Sequence, residues 1–169
     1  GGTYLNSTTD NLAFEGTTTV ETFDVITRDS GNQNIQHLGT TVGIHNDLIS
    51  TGALDDGISA HDACTVTIQG ANTDISGNAQ GINVIAQCTV FVTADISGNT
   101  THDISIVNNS ALGTVTANVS NCSIGILDGG LDSEIIINNV IVTNKLVGTT
   151  GLEITASDCV IENYIPSAN

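Results

Sequence analysis

Residues 57–68 read GISAHDACTVTI, and residues 81–92 repeat the pattern as GINVIAQCTVFV. Each stretch is followed by the same five-residue word, DISGN, which occupies residues 74–78 and then residues 95–99. The longer stretches are offset by 24 residues and the DISGN words by 21. Self-similarity at a period of roughly 20 to 50 residues is the signature of a repeat architecture. We therefore expect a chain built of similar units stacked on one another.

Weaker versions of this unit extend from residue 35 to residue 165. Each holds three short runs in which Ile or Val alternates with Thr, Asn, Ser or Asp, a pattern typical of strands with one buried face. Helix-favouring residues are scarce, whereas β-branched residues are plentiful. A single coil cannot bury its own apolar face, so several must stack. The sequence predicts an all-β fold, a right-handed parallel β-helix (solenoid) of about six coils of 21–24 residues.

One domain is expected, because 169 residues are enough for a single core and too few for two. Residues 35–169 carry the predicted coils. Residues 1–34 are less regular, and we expect them to form an N-terminal cap or an irregular lead-in.

A recurring asparagine ends the second apolar run of successive coils. The five positions are Asn78, Asn99, Asn121, Asn144 and Asn163. Stacked asparagines at a tight bend can hydrogen-bond along the stack, and asparagine tolerates a left-handed backbone. The spacing predicts a structural asparagine ladder along one bend of the solenoid.

These features resemble the right-handed β-helix superfamily, the pectate-lyase-like fold shared by polysaccharide lyases, pectinases, epimerases and phage tailspikes. The resemblance rests on the coil length, the Gly-Ile starts and the Asn bends, and it covers residues 35–165. It implies a fold and does not by itself imply an activity.

Charge excludes several functions. Arg28 and Lys145 are the only basic residues beside 18 acidic ones, which gives a formal net charge of −16. No cationic cluster exists to release counterions from a nucleic acid, so we expect no nucleic-acid partner. No apolar run reaches the roughly 18 residues needed to span a bilayer, so we expect no membrane insertion. The composition suits an extracellular protein of a cell surface or a virion.

The densest polar cluster includes Asp55, Asp56, His61 and Asp62. These four are candidate catalytic residues, because carboxylates beside a histidine can serve as acid, base or cation ligands. The Asp-Asp-Gly-Ile word is also similar to the acidic motif of polygalacturonase-type β-helix hydrolases. The Gly-His-Gly and Arg-Ile-Lys elements of those enzymes are missing, and Asp-Asp-Gly is a common turn. No cofactor is expected; the acidic bends would favour Ca²⁺ if one is bound.

The four cysteines, Cys64, Cys88, Cys122 and Cys159, lack the spacing of a metal site. Cys64 and Cys88 occupy equivalent places in successive coils. The sequence is compatible with buried free thiols and with a disulfide between Cys64 and Cys88.

Together these features favour a structural or adhesive module of an extracellular appendage, a virion fibre or a cell-surface protein, without catalysis. Self-association and binding of a surface glycan or receptor are the expected partnerships. The alternative is a polysaccharide-processing enzyme, hydrolase or lyase-like, that uses the 55–62 cluster. Phe91 is the one aromatic residue expected on the outer face in mid-coil, and it is weak support for a sugar site. Binding of a small ligand, a metal ion or ice is a further alternative.

Overall fold

The computed structural model describes residues 2–107, 115–129, 133–148 and 152–166, and those ranges contain only strands and irregular structure. No described helix could cross a membrane. The strands are β1 (Gly2–Leu5), β2 (Leu12–Glu15), β3 (Thr19–Phe23), β4 (Val25–Arg28), β5 (Ile35–Leu38), β6 (Val42–Asn46), β7 (Ile49–Thr51), β8 (Asp56–His61), β9 (Thr65–Gln69), β10 (Asp74–Ser76), β11 (Gln80–Ile85), β12 (Thr89–Val92), β13 (His102–Val107), β14 (Val115–Gly129), β15 (Ser133–Gly148), β16 (Glu153–Ser157), β17 (Val160–Ile161) and β18 (Tyr164–Ile165).

The strands stack into three parallel ladders, which form a β-solenoid of about six coils, as the repeat predicts. The first ladder runs β1-β4-β7-β10 and continues through a parallel bridge between Ile96 and Ile124. The second runs β2-β5-β8-β11-β13 and the third β3-β6-β9-β12. The long strands β14 and β15 pass around two corners and add a segment to each ladder. Every pairing is between residues about one coil apart.

Like residues lie over like in the interior of the solenoid. Ile35, Ile58, Ile82 and Ile104 are in register along the second ladder, and each is fully buried. Burying one such side chain contributes about 1.5–3 kcal/mol. The alternation of inward Ile or Val with outward polar residues therefore fixes both the register and the core.

Left-handed residues turn the chain from the third ladder back to the first. Asp and Asn tolerate this backbone region better than other residues with a Cβ atom. The corner residues, with φ values between 50° and 55°, are Asp24, Asp47, Asn121, Asn139 and Asp158. Five Asp and Asn residues of this chain thus serve one bend of successive coils.

The segment 1–34, predicted as a cap or lead-in, contains β1 to β4. Gly2 pairs with Val25 and Leu12 pairs with Ile35, so its described strands lie in the same three ladders as the coils that follow.

Two buried histidines interrupt the apolar interior of the early coils. His37 Nε2 lies 2.9 Å from His45 Nε2, and each ring is also hydrogen-bonded through Nδ1, His37 to Thr41 Oγ1 and His45 to Thr22 Oγ1. Gly43 makes room for the His37 ring, which any Cβ there would strike. Burial lowers the pKa of His37 to about 4. Burial, with a smaller contribution from His37, lowers the pKa of His45 to about 3. Both rings are therefore neutral at physiological pH.

Candidate functional site

A polar ladder, buried except at the half-buried Asn11, lines the corner between the first and second ladders. Asn11 Nδ2 donates to Asn34 Oδ1 at 2.8 Å, and Asn34 Nδ2 donates to Asn78 Oδ1 at 3.3 Å. Asn78 Nδ2 donates to Asn99 Oδ1 at 3.1 Å, and Asn99 Nδ2 donates to Asp103 Oδ1 at 2.9 Å. The chain of amides therefore ends on a carboxylate, whose other oxygen accepts the backbone N–H of Ile126.

Glycines give this ladder its space. A Cβ at Gly57 would lie 2.7 Å from Asn78 Nδ2, and one at Gly81 would lie 2.6 Å from Asn99 Nδ2. The Gly-Ile starts of the repeat are thus explained, because the glycine admits the asparagine of the next coil while the isoleucine fills the core.

The five predicted ladder asparagines lie at two different corners. Asn78 and Asn99 are joined directly within the buried ladder. Asn144 and Asn163 lie at the same corner but are exposed, and they meet through a bond from Asn163 Nδ2 to the Asn144 carbonyl. Asn121 lies at the corner between the third and first ladders, where it accepts a bond from Asn139.

Sequence reasoning missed Asn11, Asn34 and Asp103 as members of the buried ladder. Asn11 and Asn34 each directly precede an apolar strand of the second ladder, and that position is the signal that could have found them.

The four candidates in the 55–62 segment do not converge. Asp55 is exposed and accepts a bond from Gln33 Nε2, whereas Asp56 begins β8 and is only 1% exposed. His61 ends the same strand, about 16 Å further along it. Asp62 is an exposed turn residue with φ 63°. The structure therefore does not assemble these four side chains into one acid–base centre.

Asp56 instead belongs to a different group of polar side chains, on the outer surface of the second ladder. Ser59, Asn83, Ser105 and Asp128 are in register across four successive coils, and Asp56, Gln80 and His102 are in register beside them. Successive members of each column are about 4.8 Å apart. We call this group the outer polar face; its members are Asp56, Ser59, Gln80, Asn83, His102, Ser105 and Asp128.

Two pairs of side chains organise the outer polar face. Asn83 Nδ2 donates to Asp56 Oδ2 at 3.2 Å, and His102 Nε2 lies 3.2 Å from Asp128 Oδ2. Burial, with a smaller contribution from Asp55, raises the pKa of Asp56 to about 6, although the hydrogen bond from Asn83 acts in the opposite direction. Asp56 can therefore carry a proton at mildly acidic pH, which an exposed aspartate cannot.

Unsatisfied hydrogen-bonding atoms concentrate on the same face. Among the described residues, the buried side-chain atoms without a partner are Asp56 Oδ1, Ser59 Oγ, His102 Nδ1 and Asp128 Oδ1. All four belong to the outer polar face. Because a buried polar atom without a partner costs about 1–3 kcal/mol, these four atoms have the capacity to hydrogen-bond an enclosed water molecule.

A metal ion is less suited to these positions. Within the described ranges, no group of three or more His, Cys, Asp or Glu side chains is placed to hold one. Ca²⁺ at an acidic bend stays a prediction.

A second surface feature lies around Phe91, on the outer face of the third ladder. Phe91 is 41% exposed and lines a cleft of about 220 Å³ with Val119, Ile136 and Asn138. An adjoining cleft of about 460 Å³ shares Thr93 with it and follows the corner towards the first ladder. The first cleft offers one aromatic surface and few polar groups, so it fits an apolar contact better than a network of hydrogen bonds.

No protein-family model, no curated protein and no solved structure matches this chain. Its function is therefore inferred from its own side chains and their arrangement.

Proposed function

We propose that this chain is a structural or adhesive β-solenoid module of an extracellular appendage, a virion fibre or a cell-surface protein, that associates with further copies of itself. The observation that carries the proposal is where the exposed apolar side chains lie. Six of the large exposed ones in the described ranges belong to the outermost coils. They are Tyr4, Leu5, Phe23, Val160, Tyr164 and Ile165.

Strand edges coincide with these apolar side chains. Among the described strands, β1, β2 and β3 pair only with the next coil along the chain, and β16, β17 and β18 pair only with β15. A free edge beside exposed apolar groups is a template for adding strands from another chain. Both ends of the described solenoid therefore favour end-to-end stacking of copies.

Charge sets the condition under which stacking should occur. Two copies that each carry a net charge of −16 repel one another at low ionic strength. Since the Debye length falls from about 30 Å at 0.01 M salt to about 8 Å at 0.15 M, added salt should favour association.

We expect the sedimentation coefficient to rise with protein concentration at about 0.15 M salt and to stay at the monomer value at about 0.01 M. Tyr164→Asp should weaken association at least tenfold, because it places a charge among apolar groups at a free edge. Phe91→Asp is the matched control, since Phe91 is similarly exposed but lies in mid-solenoid. A monomer at every concentration and salt level would overturn the self-association proposed here.

Membership of the right-handed β-helix superfamily, with the pectate-lyase-like fold of phage tailspikes, is part of this proposal. The three parallel ladders, the coil length and the buried asparagine corner support it. An extracellular location is supported by the acidic surface and by the near absence of Lys and Arg, which leaves few tryptic sites.

A second candidate function is the binding or processing of an uncharged polysaccharide at the outer polar face. The half-buried side chains of Gln80, Asn83 and His102 favour it, since their polar groups can hydrogen-bond to sugar hydroxyls. Polymers of uronic acids are disfavoured as ligands, because their carboxylates would be repelled by a strongly acidic protein whose outer polar face itself contains Asp56 and Asp128.

A polysaccharide panel, measured for binding and for released reducing ends, tests this second function. Asp56→Asn should weaken binding, or slow any turnover, by about tenfold or more, because it removes the charged acceptor that positions the Asn83 amide. Glu21→Gln makes the same charge change at an exposed site of the third ladder and should have no effect. Equal responses of the two variants, or no binding on a broad panel, would exclude the outer polar face as a glycan site.

A further inference from the structure

Two cysteine thiols meet in the core where the second ladder turns into the third. Thr65 pairs with Thr89, so Cys64 and Cys88, one residue earlier, lie above one another in successive coils. Their Sγ atoms are 2.9 Å apart, and the side chains are 1% and 0% exposed. Nothing in the outer polar face or the end coils uses these thiols.

The corner itself brings the two thiols together. Each cysteine follows two consecutive residues in the left-handed region, Asp62 and Ala63 in one coil and Ala86 and Gln87 in the next. Because the two corners have a similar backbone shape, both cysteines enter the core at the same corner of successive coils. Identical side-chain conformations would leave the sulfur atoms about 4.8 Å apart, so the distance of 2.9 Å shows that the two side chains lean towards each other.

The covalent geometry is within reach. Adjacent strands are about 4.8 Å apart, and disulfide-linked residues have Cα atoms about 4.4–6.8 Å apart. A bond of about 2.04 Å requires the sulfur atoms to move together by less than about 1 Å. Small side-chain rotations of Cys64 and Cys88 can supply this movement without a change of register.

We propose that Cys64 and Cys88 are an oxidation site, at which a disulfide bond joins two successive coils of the solenoid. The oxidant is a small-molecule disulfide of the oxidised-glutathione class. The thiolate of one cysteine attacks this disulfide, releases one small thiolate and forms a mixed disulfide. The second cysteine loses its proton and attacks the mixed disulfide, which releases the other small thiolate. One S–S bond is formed and one is broken, and the two released thiolates take up the two protons.

The contacts assign the roles of the two sulfur atoms. Cys88 Sγ accepts a bond from the Cys64 backbone N–H at 3.3 Å and faces the Cys64 thiol. Hydrogen bonding to the Cys64 thiol lowers the pKa of Cys88, and the same contact, with burial, raises the pKa of Cys64. Cys88 is therefore the thiolate that attacks first, and Cys64 completes the bond.

Burial controls the rate of this reaction. Since neither thiol is accessible in the closed structure, the oxidant reaches them only when the corner opens or before the coils have stacked. Reaction of the folded, reduced protein should therefore be slow, and a denaturant concentration below the unfolding transition should speed it several-fold.

The experiment incubates the reduced protein with oxidised and reduced glutathione at several ratios. Remaining thiols are then alkylated in denaturant, and peptides are mapped by mass. We expect a peptide pair linked through Cys64 and Cys88, about 2 Da lighter than the two reduced peptides together. The oxidised protein should also unfold at a higher denaturant concentration than the reduced protein, because the bond constrains the unfolded chain.

Two variants make the result specific. Cys122→Ala should still form the link and show the same shift of the unfolding midpoint, whereas Cys64→Ala should show neither. The proposal is overturned if Cys64 and Cys88 of the wild-type protein are both fully alkylated after oxidation. It is also overturned if the only linkage found includes Cys122 or Cys159. Because the alkylation readout uses the wild-type chain, the test does not depend on the folding of a variant.

Discussion

Replacing Asn78 with alanine is expected to lower the free energy of unfolding by about 4 kcal/mol. Asn78 Oδ1 accepts bonds from the Ala53 N–H at 2.9 Å and from Asn34 Nδ2, while Nδ2 donates to the Ser50 carbonyl at 3.0 Å and to Asn99 Oδ1. These four hydrogen bonds lie in the interior, since Asn78 is 0% exposed. Each buried partner left unsatisfied costs about 1–3 kcal/mol, so several orphaned groups together exceed the effect of an ordinary surface change.

Urea unfolding measures this loss, with the slope of the transition as a check that the two-state behaviour is unchanged. Asn163→Ala is the matched control, because it makes the same chemical change at the same corner, where Asn163 is exposed and donates one bond to the Asn144 carbonyl. We expect the control to lose less than about 1 kcal/mol. Similar losses from the two variants would show that the buried ladder contributes no more than an exposed bend.

The columns of the core could be predicted from the sequence, because burial requires Ile or Val at alternate positions and stacking requires the same positions in each coil. The repeated GI and DISGN words were enough to indicate both features. The corners were harder. A coil with three bends can place an asparagine at any of them, and a period that varies between 21 and 24 residues does not identify the bend. Asn121 therefore shares the predicted spacing and lies at a different corner.

The outer polar face could not be predicted for a related reason. In a solenoid, residues five apart along one strand are about 16 Å apart, whereas residues one coil apart are about 4.8 Å apart. Asp56 and His61, which are close in sequence, are therefore far apart in the structure, and Asp56 accepts a hydrogen bond from Asn83 instead. The pairing of His102 with Asp128 depends on the exact register of β13 against β14, which an elastic period does not supply.

Acid is expected to destabilise this fold through its buried histidine pair. An exposed histidine in the unfolded chain has a pKa of about 6.5, whereas burial lowers the pKa values of His37 and His45 to about 4 and about 3. Because the folded state favours the neutral rings, their full contribution is present above pH 6.5 and is lost as the pH falls towards 4. At pH 5 the two rings together should cost about 4 kcal/mol of stability relative to pH 7.

Geometry sets a limit to how many protons the pair can hold. The contact between the two Nε2 atoms needs one proton to be a hydrogen bond, and each Nδ1 can either donate to its threonine or accept from it. Two neutral rings satisfy all three contacts. Two charged rings would place a proton on both Nε2 atoms at 2.9 Å, so the second protonation must break the pair.

Asp56 acts in the opposite direction over part of the same pH range. Its pKa is about 6 in the folded protein and 3.8 for an unperturbed aspartate. The folded state therefore favours its protonated form, and lowering the pH from 7 to 5 should raise the contribution of Asp56 to the free energy of unfolding by about 1.4 kcal/mol. The net loss at pH 5 from these three groups is about 3 kcal/mol, and Asp56→Asn should make the loss steeper.

Urea unfolding between pH 7 and pH 5 tests this balance. In the His37→Leu/His45→Leu double variant, two apolar groups replace a hydrogen-bonded pair, so the variant should keep the fold while losing its sensitivity to acid. Asp56 still titrates in that variant, and its stability should therefore rise slightly as the pH falls from 7 to 5. A wild-type protein whose stability did not change over this range, or a double variant with the wild-type loss, would contradict the assignment of acid sensitivity to this pair. The variant Asp56→Asn, measured in parallel, separates the carboxyl contribution from that of the rings, since the two contributions have opposite signs.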